Sequence, residues 1–88
     1  MLSTIMAALA IFGLVTLIVA CIKWRSILAW FVNESALDHT DKDQLAFTIK
    51  ERLNNGDFKV VQGVFDTVSD KVIDGRALIS PKLDKDLQ

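Results

Sequence analysis

The sequence is short of nearly everything that builds an active site. Its 88 residues include one cysteine, one histidine, one proline and no tyrosine. A single cysteine excludes an intrachain disulfide. A single histidine, His39, leaves no second imidazole for a triad and too few nitrogen ligands for a zinc site. Of the four glycines, Gly63 and Gly75 stand alone, and none belongs to a phosphate-cradling loop. The run Asp38-His39-Thr40-Asp41-Lys42-Asp43 fits neither calcium-loop nor zinc spacing, and reads as a solvated, acid-biased stretch. No enzymatic activity is expected, and no metal or cofactor.

Charge is missing from one end of the chain. All 10 basic and 11 acidic residues lie at Lys23 or beyond. Beyond Asn33 the acids outnumber the bases by eleven to eight, and the whole chain carries −1. A protein without a basic field has no electrostatic hold on phosphate backbones, so nucleic acid is not an expected partner.

What fills the uncharged end is apolar. Met1 to Ile22 is a run of 22 residues whose only polar side chains are Ser3, Thr4, Thr16 and Cys21. As one helix it would be about 33 Å long, enough for a hydrocarbon core of about 30 Å. The expectation is a transmembrane helix over residues 1–22, with the lipid bilayer as partner. Lys23, Trp24, Arg25 and Trp30 follow, residue types that favour a membrane interface. Two basic residues after the span and none before it place the N-terminus outside and the C-terminal part in the cytoplasm, in an inner or plasma membrane. Residues 23–35 read as a juxtamembrane helix extension and hinge, with Trp24, Ile27, Leu28 and Phe31 on one stripe. Ser3/Ala7, Thr4/Ala8 and Thr16/Ala20 have the small-xxx-small spacing that lets helices associate in lipid.

Ile18-Val19-Ala20-Cys21 resembles the lipobox of bacterial lipoproteins, which implies lipidation at Cys21 and loss of residues 1–20. The resemblance covers four residues. The absent basic leader and the Lys23-Trp24-Arg25 stretch depart from the pattern.

Residues 36–88 read as a small polar α+β domain. Thr40 as cap, acids in a first turn and Leu45, Ile49 and Leu53 at spacing four predict a helix over about 40–54, stopped at Asn54-Asn55-Gly56. Phe47 falls off that stripe. Two β-rich stretches at about 58–66 and 71–79 predict an antiparallel hairpin with Phe65 opposite Val72. One face would carry Phe58, Val60, Val64, Ile73, Ala77 and Ile79. The other would carry Lys59, Val61, Phe65, Val72, Asp74, Arg76 and Leu78; its Val61, Phe65, Val72 and Leu78 are too apolar for water, which makes this face, with Arg76, the expected partner-binding surface. Arg76 is the candidate anchor for a partner carboxylate. Ser80-Pro81 predicts a short last helix or a tail over 81–87.

The fold expected is therefore α+β, one N-terminal transmembrane helix followed by a helix–β-hairpin domain of type αββ or αββα. The function expected is that of an accessory, scaffold or interaction subunit, with a protein partner or a second copy of itself. A holin, antiholin or small-toxin-like membrane-active protein is one alternative, and the Cys21 lipoprotein is the other.

Overall fold

A computed structural model describes residues 2–87. The apolar leader is not one helix. Leu2–Phe12 forms α1. Gly13 then takes φ +75°, a left-handed conformation that glycine adopts without steric penalty, and the helix ends. Val15–Ile18 is a strand, β1. Val15, Thr16 and Ile18 are β-branched, stiff about χ1, and suited to a pleated surface. The 11 residues of α1 span about 16 Å, half of the hydrocarbon thickness. No helix among the described residues is long and apolar enough to cross a membrane. This corrects the expected single span, the orientation with the N-terminus outside, and the membrane location drawn from both. The hydropathy of this stretch is real, and part of it, including Ile5 and Ile22, packs into the cores on the two sheet faces.

Lys23, in extended conformation, precedes α2, Trp24–Asn33. The expected helix over 40–54 is a second correction, because Gln44–Arg52 is a strand, β2. Leu45, Phe47 and Ile49 alternate with Ala46, Thr48 and Lys50, a period of two that overrides the spacing-four stripe. Phe47 is then on the apolar face and needs no separate explanation. Leu53 N–H donates to Asp57 O at 2.8 Å and Gly56 N–H donates to Leu53 O at 3.0 Å. Gly56 has φ +93°. Asn-Gly suits a tight hairpin as well as a helix stop, and here it joins β2 to β3, Phe58–Asp66. The last strand, β4, is Lys71–Ser80, and a 3₁₀ turn follows at Lys85–Leu87.

The four strands form one mixed sheet in the order β1-β4-β3-β2, with β1 parallel to β4 and the other pairs antiparallel. Phe65 faces Val72, but the register shifts by one between Val64 and Phe65, so Val60 faces Leu78. Ile73 is the extra residue of this bulge. A one-residue slip moves the following side chains to the opposite face. Leu78, rather than Ala77, therefore sits beside Val60.

Both faces of the sheet are covered. On one, Ile27 of α2 packs with Ile22, Val60, Leu78 and Leu83, flanked by Phe31 and Phe58. On the other, Ile5 of α1 packs with Phe65 and Val72, flanked by Phe47 and Ile49. The central strand β3 is consequently buried from Val60 through Phe65, as expected for a strand sandwiched between two layers. Backbone bonds from Ile22 N–H to Lys82 O at 3.0 Å and from Asp84 N–H to Ile22 O at 2.8 Å carry the parallel pairing past the end of β4.

Candidate functional site

The candidate site lies where α2 crosses the Arg76 end of the sheet. Strand alternation puts Gln62 and Arg76 opposite each other in register and on the α2 face. Gln62 is fully buried, and its Nε2 donates to Ile27 O of α2 at 3.0 Å. Its Oε1 accepts from Arg76 Nε at 2.7 Å. One glutamine thus satisfies a helix carbonyl and steers a guanidinium, as a buried polar side chain must to offset its desolvation. Arg76 Nη2 also donates to Ser26 O at 3.3 Å, and its Cζ lies 5.5 Å from the centroid of the Trp30 ring. That distance is within the range of cation–π attraction. Trp30 is only 7% exposed and meets Phe31 edge-on at 5.2 Å.

These residues wall a cleft of about 230 Å³ lined by Ser26, Ala29, Trp30, Asn33, Glu34 and Arg76. Small-molecule sites run to roughly 300–1,000 Å³. This cleft suits a side chain or a chain terminus better than a cofactor. Burial draws the Arg76 pKa below the ordinary arginine value, and the charge of Glu34 opposes that shift. A guanidinium keeps its proton at neutral pH regardless. No carboxylate among the described residues comes within 4 Å of the Arg76 guanidinium nitrogens; the ion pair found joins Lys59 Nζ to Glu51 Oε1 at 3.9 Å, on the α1 side of the sheet. Arg76 is therefore a half-buried cation whose charge is met by an aromatic face, an amide and one carbonyl.

Beside it, Asp74 holds the chain that leaves α2. Ala36 N–H donates to Asp74 Oδ2 at 2.8 Å, and Gly75 N–H donates to Oδ1 at 2.9 Å. Asp74 is thereby committed to backbone donors and leaves Arg76 unpaired.

The residues singled out in the sequence are scattered by the fold. Arg76 lines the cleft. Val61, Phe65, Val72 and Leu78 are all buried within the chain, and the residues expected on one partner-binding face are divided, Phe65 and Val72 packing against α1 and Leu78 against α2. Of the four expected interface residues, Lys23 occupies the N-cap position of α2 without a side-chain cap bond, and Trp24 is partly exposed with its backbone N–H donating to Asp84 Oδ2 at 3.3 Å. Arg25 is exposed, while Trp30 is buried beneath Arg76. They form no belt. Cys21 is half-buried between β1 and α2, its Sγ 3.9 Å from Ile22 O. A cleavage before Cys21 would remove α1 and an edge strand. His39 lies in the α2–β2 connection, where Asp38 Oδ1 accepts from Thr40 Oγ1 and Thr40 N–H. Those bonds hold the Asp38 carboxyl below its ordinary pKa. Among the described residues no group of three or more His, Cys, Asp or Glu is placed to hold a metal.

Sequence reasoning missed Glu34 and Gln62, and it assigned Trp30 to a membrane interface instead of the floor beneath Arg76. A signal existed for Trp30 and Glu34. Ser26, Trp30 and Glu34 stand at spacing four, with Asn33 beside them, forming a polar and aromatic stripe next to the apolar Ile27–Phe31 stripe. Comparison with family models, with curated proteins and with solved structures finds no match to this chain.

Proposed function

We infer that the chain is a non-enzymatic interaction module that anchors a carboxylate of a protein partner on Arg76. The observation that carries this reading is the state of Arg76: a charged group, half-buried over Trp30, opening on a cleft and lacking an ion pair among the described residues. A guanidinium in that state gains from a carboxylate, with its two-pronged geometry, more than from water. Trp30 and Ala29 supply the apolar wall for the rest of the captured residue. The donor set favours binding over catalysis, because Arg76 cannot shuttle a proton and Glu34 is the one carboxylate among the lining residues.

Selection from a random peptide library against the full chain tests the reading. The expected winners carry an acidic side chain or a free C-terminus next to an apolar residue. Arg76→Gln should weaken them by about 10- to 100-fold, the equivalent of one charged hydrogen bond of roughly 1.5–3 kcal/mol. Binding should also fade as pH drops through about 4, where the ligand carboxylate protonates. Winners with no acidic bias, or equal binding by a folded Arg76→Gln chain, would overturn it.

A further inference from the structure

The two edges of the sheet are unlike each other. The β2 edge ends in Lys50, Glu51 and Arg52, charges of the kind that keep an open edge from recruiting another strand. The β1 edge carries nothing of that kind: Val15-Thr16-Leu17-Ile18 has no charge, no proline and no bulge, and no charged residue precedes Lys23. Val19 N–H donates to Ile79 O at 3.0 Å. Alternation along the strand then turns the N–H and C=O of Leu17 toward β4 and those of Thr16 and Ile18 to the open side. Ile18 is 83% exposed and Val15 66%. The helix ahead of this strand, α1, exposes Ile11 at 88%, with Leu2, Met6 and Phe12 also in solvent.

The geometry points to a second copy of this chain as the occupant of that edge, paired antiparallel β1 to β1 about a two-fold axis through Leu17. This surface is separate from the Arg76 cleft, and its argument does not rest on the reading given to that cleft. Charge selects the partner. A strand edge and a helix surface with no charge offer no complement to an acidic or basic segment, and the chain's own β1 is its uncharged edge. Pairing β1 with the charged β2 edge of another copy would bury Lys50 or Arg52 opposite apolar groups, and it would propagate head to tail without closing. Pairing β1 with β1 closes as a dimer. With the axis at Leu17, Thr16 lies opposite Ile18 of the second copy, and Ile18 opposite its Thr16. These are the residues whose N–H and C=O face outward, so each pair exchanges two hydrogen bonds. Leu17 meets its own counterpart in the closely spaced, non-hydrogen-bonded position.

The same axis stands perpendicular to the sheet and therefore sets both α1 helices on one face of a continuous sheet. Ile18 shares that face, since its register partner Ile79 alternates with Leu78 of the α2 face. A stable interface needs about 800 Å² from each partner. A four-residue ladder is too small for that, so the pairing requires exposed apolar side chains at the end of α1 that leads into β1, Ile11 and Phe12, to join the interface.

Sedimentation equilibrium of the full chain across micromolar concentrations, with hydrogen exchange at single-residue resolution, tests the pairing. The expected result is a concentration-dependent dimer in which the Thr16 and Ile18 amides are protected. Ile18→Lys should weaken dimerisation at least tenfold and release those amides, while Val68→Lys, an equally exposed apolar site at the β3–β4 turn, should leave both unchanged. Mixing Ile18→Lys with Ile18→Asp chains should restore a heterodimer, because the two side chains lie diagonally across the axis. A monomer at every concentration, an open-ended polymer, or a dimer whose Thr16 and Ile18 amides exchange freely would each overturn the proposal.

Discussion

Gln62 and Arg76 show how much of the site is decided by single side chains. A glutamine in the middle of a β-rich stretch has two polar ends to satisfy once it is buried, and both find partners, Ile27 O and Arg76 Nε. The consequence is that Arg76 is aimed rather than free to sweep solvent. Glu34, on the wall of the same cleft, is the group a bound carboxylate must approach. Replacing it with glutamine keeps the shape and removes the like charge. Glu34→Gln should tighten capture of acidic peptides about two- to fivefold, in line with the roughly 0.2–1 kcal/mol of an exposed charge pair, as read by fluorescence titration on Trp30. Arg76 could be singled out in the sequence, because an arginine flanked by apolar strand residues is costly to bury unpaired, and the fold places it on the wall of the cleft. Its contact with Trp30 could not, since the ring and the guanidinium meet only after α2 folds over a strand far along the chain.

At the scale of elements, the hairpin of β3 and β4 was legible and the strand β2 was not. Residues 58–79 have a single period, so pattern and propensity agree. Residues 44–52 satisfy two periods at once. Leu45 and Ile49 fit a helix as well as a strand, and only Phe47 decides between them. Its place in the sheet explains a glycine too. Phe47 is paired with Gly63, and a Cβ built on Gly63 would fall 2.6 Å from the Phe47 ring and 2.8 Å from Asp74 O. The ring lies across the space that a side chain would need. Gly63→Ala should destabilise the fold by about 1–3 kcal/mol, the range for overpacking a filled core, measured by urea unfolding. Shortening Phe47 to leucine in the same chain should recover only part of that, because the Asp74 carbonyl is backbone and cannot withdraw. The bulge at Ile73 was equally hidden, for a one-residue insertion leaves both strands with an acceptable alternation, and only the helices on the two faces reveal which is used.

For the whole molecule, the sequence's largest signal led to its largest error. Twenty-two uncharged residues read as lipid-facing, yet the fold divides them at Gly13 and spends them on both faces of a sheet. Hydropathy reports how much apolar surface must be covered and is silent about what covers it. Residues far apart in sequence meet in the α2-side core, where Ile22 and Leu83 are bridged in parallel and both buried. Leu83→Ala should therefore lower stability by about 2–4 kcal/mol, a full core penalty from a residue close to the terminus, seen as a lower urea midpoint at unchanged slope.

The parallel pairing of Val15 with Arg76 also sets an order of events. During synthesis β1 emerges well before its partner, about sixty residues further along, so the uncharged segment stays unpaired while β2, β3 and β4 zip together through neighbouring turns. Closing the long loop between β1 and β4 is the final and slowest contact to form. Until it forms, the nascent chain presents its stickiest segment to whatever is nearby.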